Sequence, residues 1–156
     1  MKTQESDHLN ELFTPLSFWE RLEVLYELFS EEEVLVTSSF GTKSVFLLHL
    51  LSQIRPRQTV YFIDTGYHFT ETLTYKERLT ELFQLRVIDV HPRAEAHAHT
   101  RSAQLWQNAP NQCCAVNKVE PLERIKPGFR VWISGLMAYQ TDFRSGQRVF
   151  EQDGQL

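Results

Sequence analysis

Two cysteines are all that the 156 residues contain, and they are adjacent, at 113 and 114. Neighbouring cysteines rarely close a structural disulfide, because the required geometry strains the backbone. A disulfide-stapled fold is thereby set aside, and thiols in a reducing compartment point to metal or redox chemistry, or to no special role. Long apolar runs are missing as well. No stretch approaches the roughly 20 apolar residues of a membrane span, and the opening eight residues lack the apolar centre of a signal peptide. The expected location is the cytoplasm, with no membrane partner. Nor is there an excess of positive charge: a formal net charge of −4 gives no general attraction for nucleic acid, so any anion site must be a local arrangement. The glycine spacing of a Walker loop is absent, and so is the two-glycine fingerprint of dinucleotide folds, so a nucleotide would bind in another manner, and neither nicotinamide nor flavin is expected.

What remains is an ordinary globular composition, 42% hydrophobic and 23% charged, at a length that suits one domain. The chain is organised around residues 34–51. Val34-Leu-Val reads as a buried strand, residues 37–44 as a turn of small hydroxyl residues with one glycine, and Val45 to Ile54 as a helix with apolar residues at helical spacing. Ser38, Ser39, Thr42 and Ser44 offer hydroxyls there, Gly41 lets a ligand approach the backbone, and unpaired N–H groups at the helix start suit an anion. The same residues would equally close a tight strand-to-helix turn and cap the helix.

Upstream, Ser17 opens a helix through Phe29 with Phe18, Leu22, Leu25 and Tyr26 on one face, and Ser17 with Glu20 forms a capping box. Downstream, Thr59–Ile63 and Arg86–Val90 read as strands, with a helix from Thr70 to Phe83 between them whose apolar face includes Leu79, Leu82 and Phe83. Asp64-Thr65-Gly66 sits at the C-terminal end of the second strand. Strands alternating with helices predict a parallel α/β sheet with helices on both faces, whose ligands bind outside the carboxyl ends of the strands. His91, His97 and His99 have no carboxylate or cysteine at ligand spacing, so they read as polar surface residues on an irregular helical segment rather than as metal ligands. Leu105 and Trp106 should anchor that segment. Pro121 predicts a helix or kinked pair after Cys114, and Arg130–Ser134 supplies a fourth strand ending at Gly135. Another strand is expected to start at Arg148-Val-Phe150.

Four blocks then match a family in order: Ser38-Ser-Phe-Gly41 with its following helix, Phe62-Ile-Asp-Thr-Gly-Tyr67 with Glu71-Thr72, Asn117-Lys-Val-Glu-Pro121, and Trp132-Ile-Ser-Gly-Leu136 with Gln140 and Arg144. Together they resemble the assimilatory phosphosulfate reductases. The resemblance implies an adenine nucleotide α-hydrolase-like core over 34–150 behind a helical extension at 1–33. It implies reduction of adenosine 5'-phosphosulfate, or its 3'-phosphorylated form, to sulfite and AMP or PAP, with thioredoxin or glutaredoxin as reductant. Substrate contacts would fall to Ser38, Ser39, Phe40, Gly41 and Thr42 at the phosphosulfate, to Asp64, Thr65 and Gly66 near adenosine, and to Gly135 and Gln140. Lys118 and Arg144 would neutralise the sulfate. Cys113 and Cys114 resemble the first cysteine pair of the subgroup that carries a four-iron, four-sulfur cluster, whose usual substrate lacks the 3'-phosphate; Asn117 before Lys118 also occurs in the cluster-free subgroup.

The departures are specific. A cluster needs four cysteines, the family's second pair and nucleophilic cysteine lie beyond Leu156, and Met137 and Ala138 stand where the family carries arginines. The chain is expected to be either the first part of a reductase or a shortened relative. Its rivals are a non-catalytic nucleotide-binding module, an ATP pyrophosphatase-type enzyme whose usual Ser-Gly-Gly loop this turn does not match, and a homodimer in which each chain gives two cysteines to one cluster.

Overall fold

The computed structural model describes residues 2–135 and 148–153. Four strands, β1 (Val34–Thr37), β2 (Thr59–Ile63), β3 (Arg86–Val90) and β4 (Val131–Ser134), form a parallel sheet in the order β3-β2-β1-β4. Helices α1 (Lys2–Phe13) and α2 (Phe18–Leu28) precede β1. After it come α3 (Val45–Ile54), α4 (Thr70–Leu82), α5 (Ala94–Ser102), α6 (Leu105–Asn108), α7 (Pro110–Cys114) and α8 (Glu120–Ile125). Consecutive side chains of a strand point to opposite faces, so the complete burial of Val34, Leu35 and Val36 shows that β1 is covered on both sides. Val60 and Phe62 of β2 join the same core with Leu48 and Leu51 of α3, Leu22 and Leu25 of α2, and Phe13. At roughly 1.5–3 kcal/mol for each large apolar side chain removed from water, this cluster is the main source of stability.

The strand order carries the functional consequence. The chain steps outward from β1 to β2 to β3, then returns to place β4 on the other side of β1, with Val34 beside Val131 and Thr37 beside Ser134. The direction of winding therefore reverses between β1 and β4, the place in an open α/β sheet outside whose strand ends ligands bind.

Ser17 caps α2 as its sequence predicts, its hydroxyl accepting from the Glu20 amide while the Glu20 carboxylate accepts from the Ser17 amide. Hydrogen bonds from the Ser17 side chain and backbone hold the Glu20 carboxyl below its usual range. Four other expectations fail. Phe18, Leu82 and Trp106 are exposed rather than core-facing: each lies within a turn of a helix end, Phe18 opening α2, Leu82 closing α4 and Trp106 in the four-residue α6. No strand forms at Arg148-Val-Phe150. The Asn10 side chain instead donates to the Phe150 carbonyl and accepts from its amide, and Phe13 packs edge-on against the Phe150 ring at 4.7 Å. One amide side chain thus takes the place of a neighbouring strand.

Lys126 fastens the same returning segment. Its ammonium is buried, donates to Glu123 at 2.6 Å and Asp153 at 2.7 Å, and lies 4.7 Å from the centre of the Trp132 ring. Burial pushes its pKa down, but the hydrogen bonds and charges of the two carboxylates more than offset this and hold it above the ordinary lysine value of 10.5. A raised folded-state pKa means that this stabilisation is complete below the unfolded value and is lost as pH climbs through the folded one. Subtracting the urea-unfolding profile of Lys126→Met from that of the wild type should show a term that is flat through neutrality and falls off above about pH 10.5.

Candidate active site

Three loops start at the C-terminal side of the sheet, after β1, β2 and β4. The first leaves β1 at Thr37. Ser38 is buried, and its hydroxyl accepts from the Phe40 amide at 3.0 Å. Phe40 takes a left-handed conformation (φ 52°), which costs a residue with a Cβ about 1–2 kcal/mol. Its ring offsets that cost by burying itself against Phe62, 5.8 Å away and nearly perpendicular. The Phe40 side chain is therefore an anchor in the core. Driving it inward turns the chain so that Ser39, Gly41, Thr42 and Lys43 stay exposed, while Ser44 is buried. Residues Thr42–Ser44 form a single 3-10 turn leading into α3, with no side-chain cap on either start. Gly41 has an ordinary φ of −67°, and a Cβ there would meet only Ser39 Oγ, at 3.7 Å. The protein itself does not require glycine at this point.

The second loop leaves β2. The Asp64 carboxylate accepts from the Gly66 amide at 3.0 Å, and the Thr65 hydroxyl from the Tyr67 amide at 3.2 Å, so each turn is closed by the side chain that opens it. Gly66 has a positive φ of 74°. The third loop begins at Gly135, whose Cβ position lies 3.8 Å from Leu47 and 4.0 Å from Ser44 Oγ, which puts the end of β4 beside the start of α3. Residues 37–44 and Gly135 thus flank the reversal in strand order, with Asp64–Gly66 one strand further along.

Lys118, Cys113 and Cys114 lie on one helical run from Pro110 to Ile125, in which α7 passes through a π turn at Ala115–Val119 into α8. Pro121 has no N–H to give an α-helical bond; the wider turn ahead of it absorbs the misfit, so the predicted kink appears as a local change of helix type. Lys118 is exposed on that turn. Asn117 is buried beside it. Its Nδ2 donates to the Cys113 carbonyl (2.9 Å) and Thr100 Oγ1 (3.1 Å) and lies 3.5 Å from Cys113 Sγ, and its Oδ1 accepts from His97 Nδ1 at 2.7 Å. Thr100 spends its own proton on the His97 carbonyl, so Tyr67 must donate to Thr100. His97 is half-buried, not a surface residue as its sequence context suggests, and its ring packs onto Gly66 and Tyr67. Sequence reasoning missed His97, Thr100 and Tyr67 as a unit; the one available signal was the helical i, i+3 spacing of His97 and Thr100. Arg144 and Gln140, with Met137 and Ala138, lie outside the described residues.

The two thiols are unequal. Cys113 is buried and held by Asn117, whereas Cys114 is exposed. Successive helical residues are about 100° apart around the axis, so the two side chains diverge. Among the described residues no cluster of three or more His, Cys, Asp or Glu side chains could hold a metal. A four-thiolate cluster does not fit these two cysteines on their own. In the native chain a thiol reagent should titrate one cysteine rapidly and the second only on unfolding, and Cys114→Ser should remove the fast phase.

A parallel α/β sheet with helices packed on it, whose winding reverses between β1 and β4, defines a doubly wound fold. Residues 33–156 match the model of the phosphoadenosine phosphosulfate reductase domain. The chain belongs to that family. It is 35% identical over 126 residues to an adenosine 5'-phosphosulfate reductase of Bacillus cereus (strain AH187), covering 79% of this chain and 54% of that protein. A reductase of the same name from Staphylococcus epidermidis is 36% identical over 126 residues, at 79% and 52%. The chain therefore spans about half the length of these curated relatives. Among solved structures, the phosphoadenylyl-sulfate reductase of Candida auris, in a phosphate complex, superposes with a TM-score of 0.72 at 23% identity, over 85% of this chain and 67% of that one, which establishes the shared fold. No helix of the described residues is long and apolar enough to cross a membrane.

Proposed function

We propose that this chain carries the nucleotide-binding part of a phosphosulfate reductase, with residues 34–150 as its core. The observation that supports this most is the placement of the exposed residues Ser39, Gly41 and Thr42 at the end of β1, beside the end of β4 at the reversal in strand order and next to the end of β2. The phosphosulfate would lie over the hydroxyls and backbone of that turn, and adenosine near Thr65 and Gly66. Lys118 and Arg144 would offset the charge of the sulfate, so that a thiolate can approach sulfur. That thiolate bonds to sulfur while the bond from sulfur to the bridging phosphate oxygen breaks, and the electron pair leaves with AMP. A second thiol, from a thioredoxin or glutaredoxin, then displaces sulfite, and the two thiols end as a disulfide. Cys113 and Cys114 are not the attacking group in this scheme. Their counterpart role as cluster ligands would need two further thiolates.

The test is calorimetric titration of the full chain with AMP, followed by incubation with adenosine 5'-phosphosulfate and reduced thioredoxin while sulfite is measured. Binding with sulfite release is the expected result for a complete reductase. Binding without release marks a nucleotide-binding module, and pyrophosphate release from ATP and magnesium would mark the adenylating alternative. Absence of any AMP binding would overturn the proposal.

A further inference from the structure

The histidine beside Gly66 has a fixed tautomer. Asn117 cannot turn its amide around, because Nδ2 is committed to the Cys113 carbonyl and to Thr100, so Oδ1 faces His97 Nδ1 and accepts its proton. A neutral imidazole carries one proton. Nε2 therefore bears a lone pair. Among the described residues Nε2 has no hydrogen-bond partner, and no buried side-chain nitrogen or oxygen is left unpaired, so this lone pair is open to solvent. Its position is set by the loop it touches: the Cβ of a residue at 66 would fall 2.8 Å from Nε2, and the Tyr67 ring crosses the imidazole at 5.4 Å. An oriented acceptor thus stands at the C-terminal end of β2.

We infer that His97 is a specificity-determining residue for the purine, its Nε2 accepting a hydrogen bond from the exocyclic 6-amino group of adenine. This rests on the nucleotide reading above, which places adenosine at Gly66. A 6-oxo purine presents a carbonyl at the same point, and two acceptors facing one another leave both unpaired. The Gly66 and Tyr67 amides of the β2 loop are already taken by the Asp64 and Thr65 side chains, so the oriented side-chain acceptor beside Gly66 is His97 Nε2. Asn117 and Thr100 act only through it.

The test compares AMP with inosine 5'-monophosphate, the same nucleotide with the amine replaced by a carbonyl, by calorimetric titration of the full chain. Wild type should prefer AMP by about tenfold or more, the usual cost of an unpaired acceptor. His97→Leu should bring the two affinities to within about twofold, largely through weaker AMP binding, and His97→Gln, which retains an acceptor, should restore part of the preference. Thermal unfolding of each variant separates loss of the contact from loss of the fold. Equal affinities for the two nucleotides in wild type, or an unchanged preference in a folded His97→Leu, would overturn the assignment while leaving the nucleotide reading intact. No binding of either nucleotide by wild type would overturn both.

Discussion

Replacing Asn117 by alanine should lower the unfolding free energy by about 2–4 kcal/mol, since a buried amide removed from one end of several hydrogen bonds leaves their other ends unpaired. The side chain is 2% exposed and its two ends serve different elements. Nδ2 holds Thr100 of α5 and the Cys113 carbonyl, and Oδ1 takes the proton of His97. Without it the His97 N–H and the Cys113 carbonyl lose this partner, and Thr100 keeps only Tyr67 and the His97 carbonyl. Urea unfolding gives the number, and a cost below about 1 kcal/mol, that of one ordinary exposed hydrogen bond, would show that the network carries little. Asn117→Asp then asks which end matters. It preserves the shape and replaces a donor by an oxygen aimed at two acceptors, so the charged carboxylate is disfavoured and its folded-state pKa rises above the usual value of about 3.9. The folded form then holds a proton that the unfolded form has released. Stability of this variant should therefore fall as pH rises from 4 to 8, where that of Asn117→Ala should show no such added slope.

The network also marks the line between what local sequence encodes and what it does not. β2 and β3 fall at Thr59–Ile63 and Arg86–Val90, as read, because a short run rich in β-branched and aromatic residues, bounded by turn residues, is a local signal. The Ser17 and Glu20 cap is legible for the same reason: its two partners are three residues apart. Long-range choices are not. That Phe150 should end on a side chain of α1 depends on a partner 140 positions away. His97 resembles any polar helix residue until Asn117, 20 positions on, is brought against it. The Ser38–Ser44 turn was recognisable by composition, yet the role of Phe40 within it was not, since only the packed core reveals that the ring points inward. Nor does periodicity say that β4 lies beside β1, although that placement makes the reversal in winding.

Gly66→Ala should destabilise the fold by about 2–5 kcal/mol through two separable causes, backbone strain and overpacking. The first is conformational. At φ 74° an L-residue with a Cβ gives up about 1–2 kcal/mol, and here the turn cannot relax, because the Asp64 carboxylate and the Thr65 hydroxyl both clamp its amides. The second is steric. The added Cβ would sit 2.6 Å from His97 Cε1 and 2.8 Å from Nε2, closer than carbon and nitrogen can approach. A free side chain would swing aside at little cost, but His97 is tied to Asn117 and flanked by Tyr67, so its retreat breaks a 2.7 Å hydrogen bond. The double variant Gly66→Ala with His97→Ala distinguishes the causes. If both operate, the effects of the two changes should fall short of additive by about 1–3 kcal/mol, the share that the clash contributes. The remainder, about 1–2 kcal/mol, should persist whatever occupies position 97. Strict additivity in denaturant unfolding would mean that the ring yields freely, and with it would go the claim that residue 97 is held in place against the β2 loop.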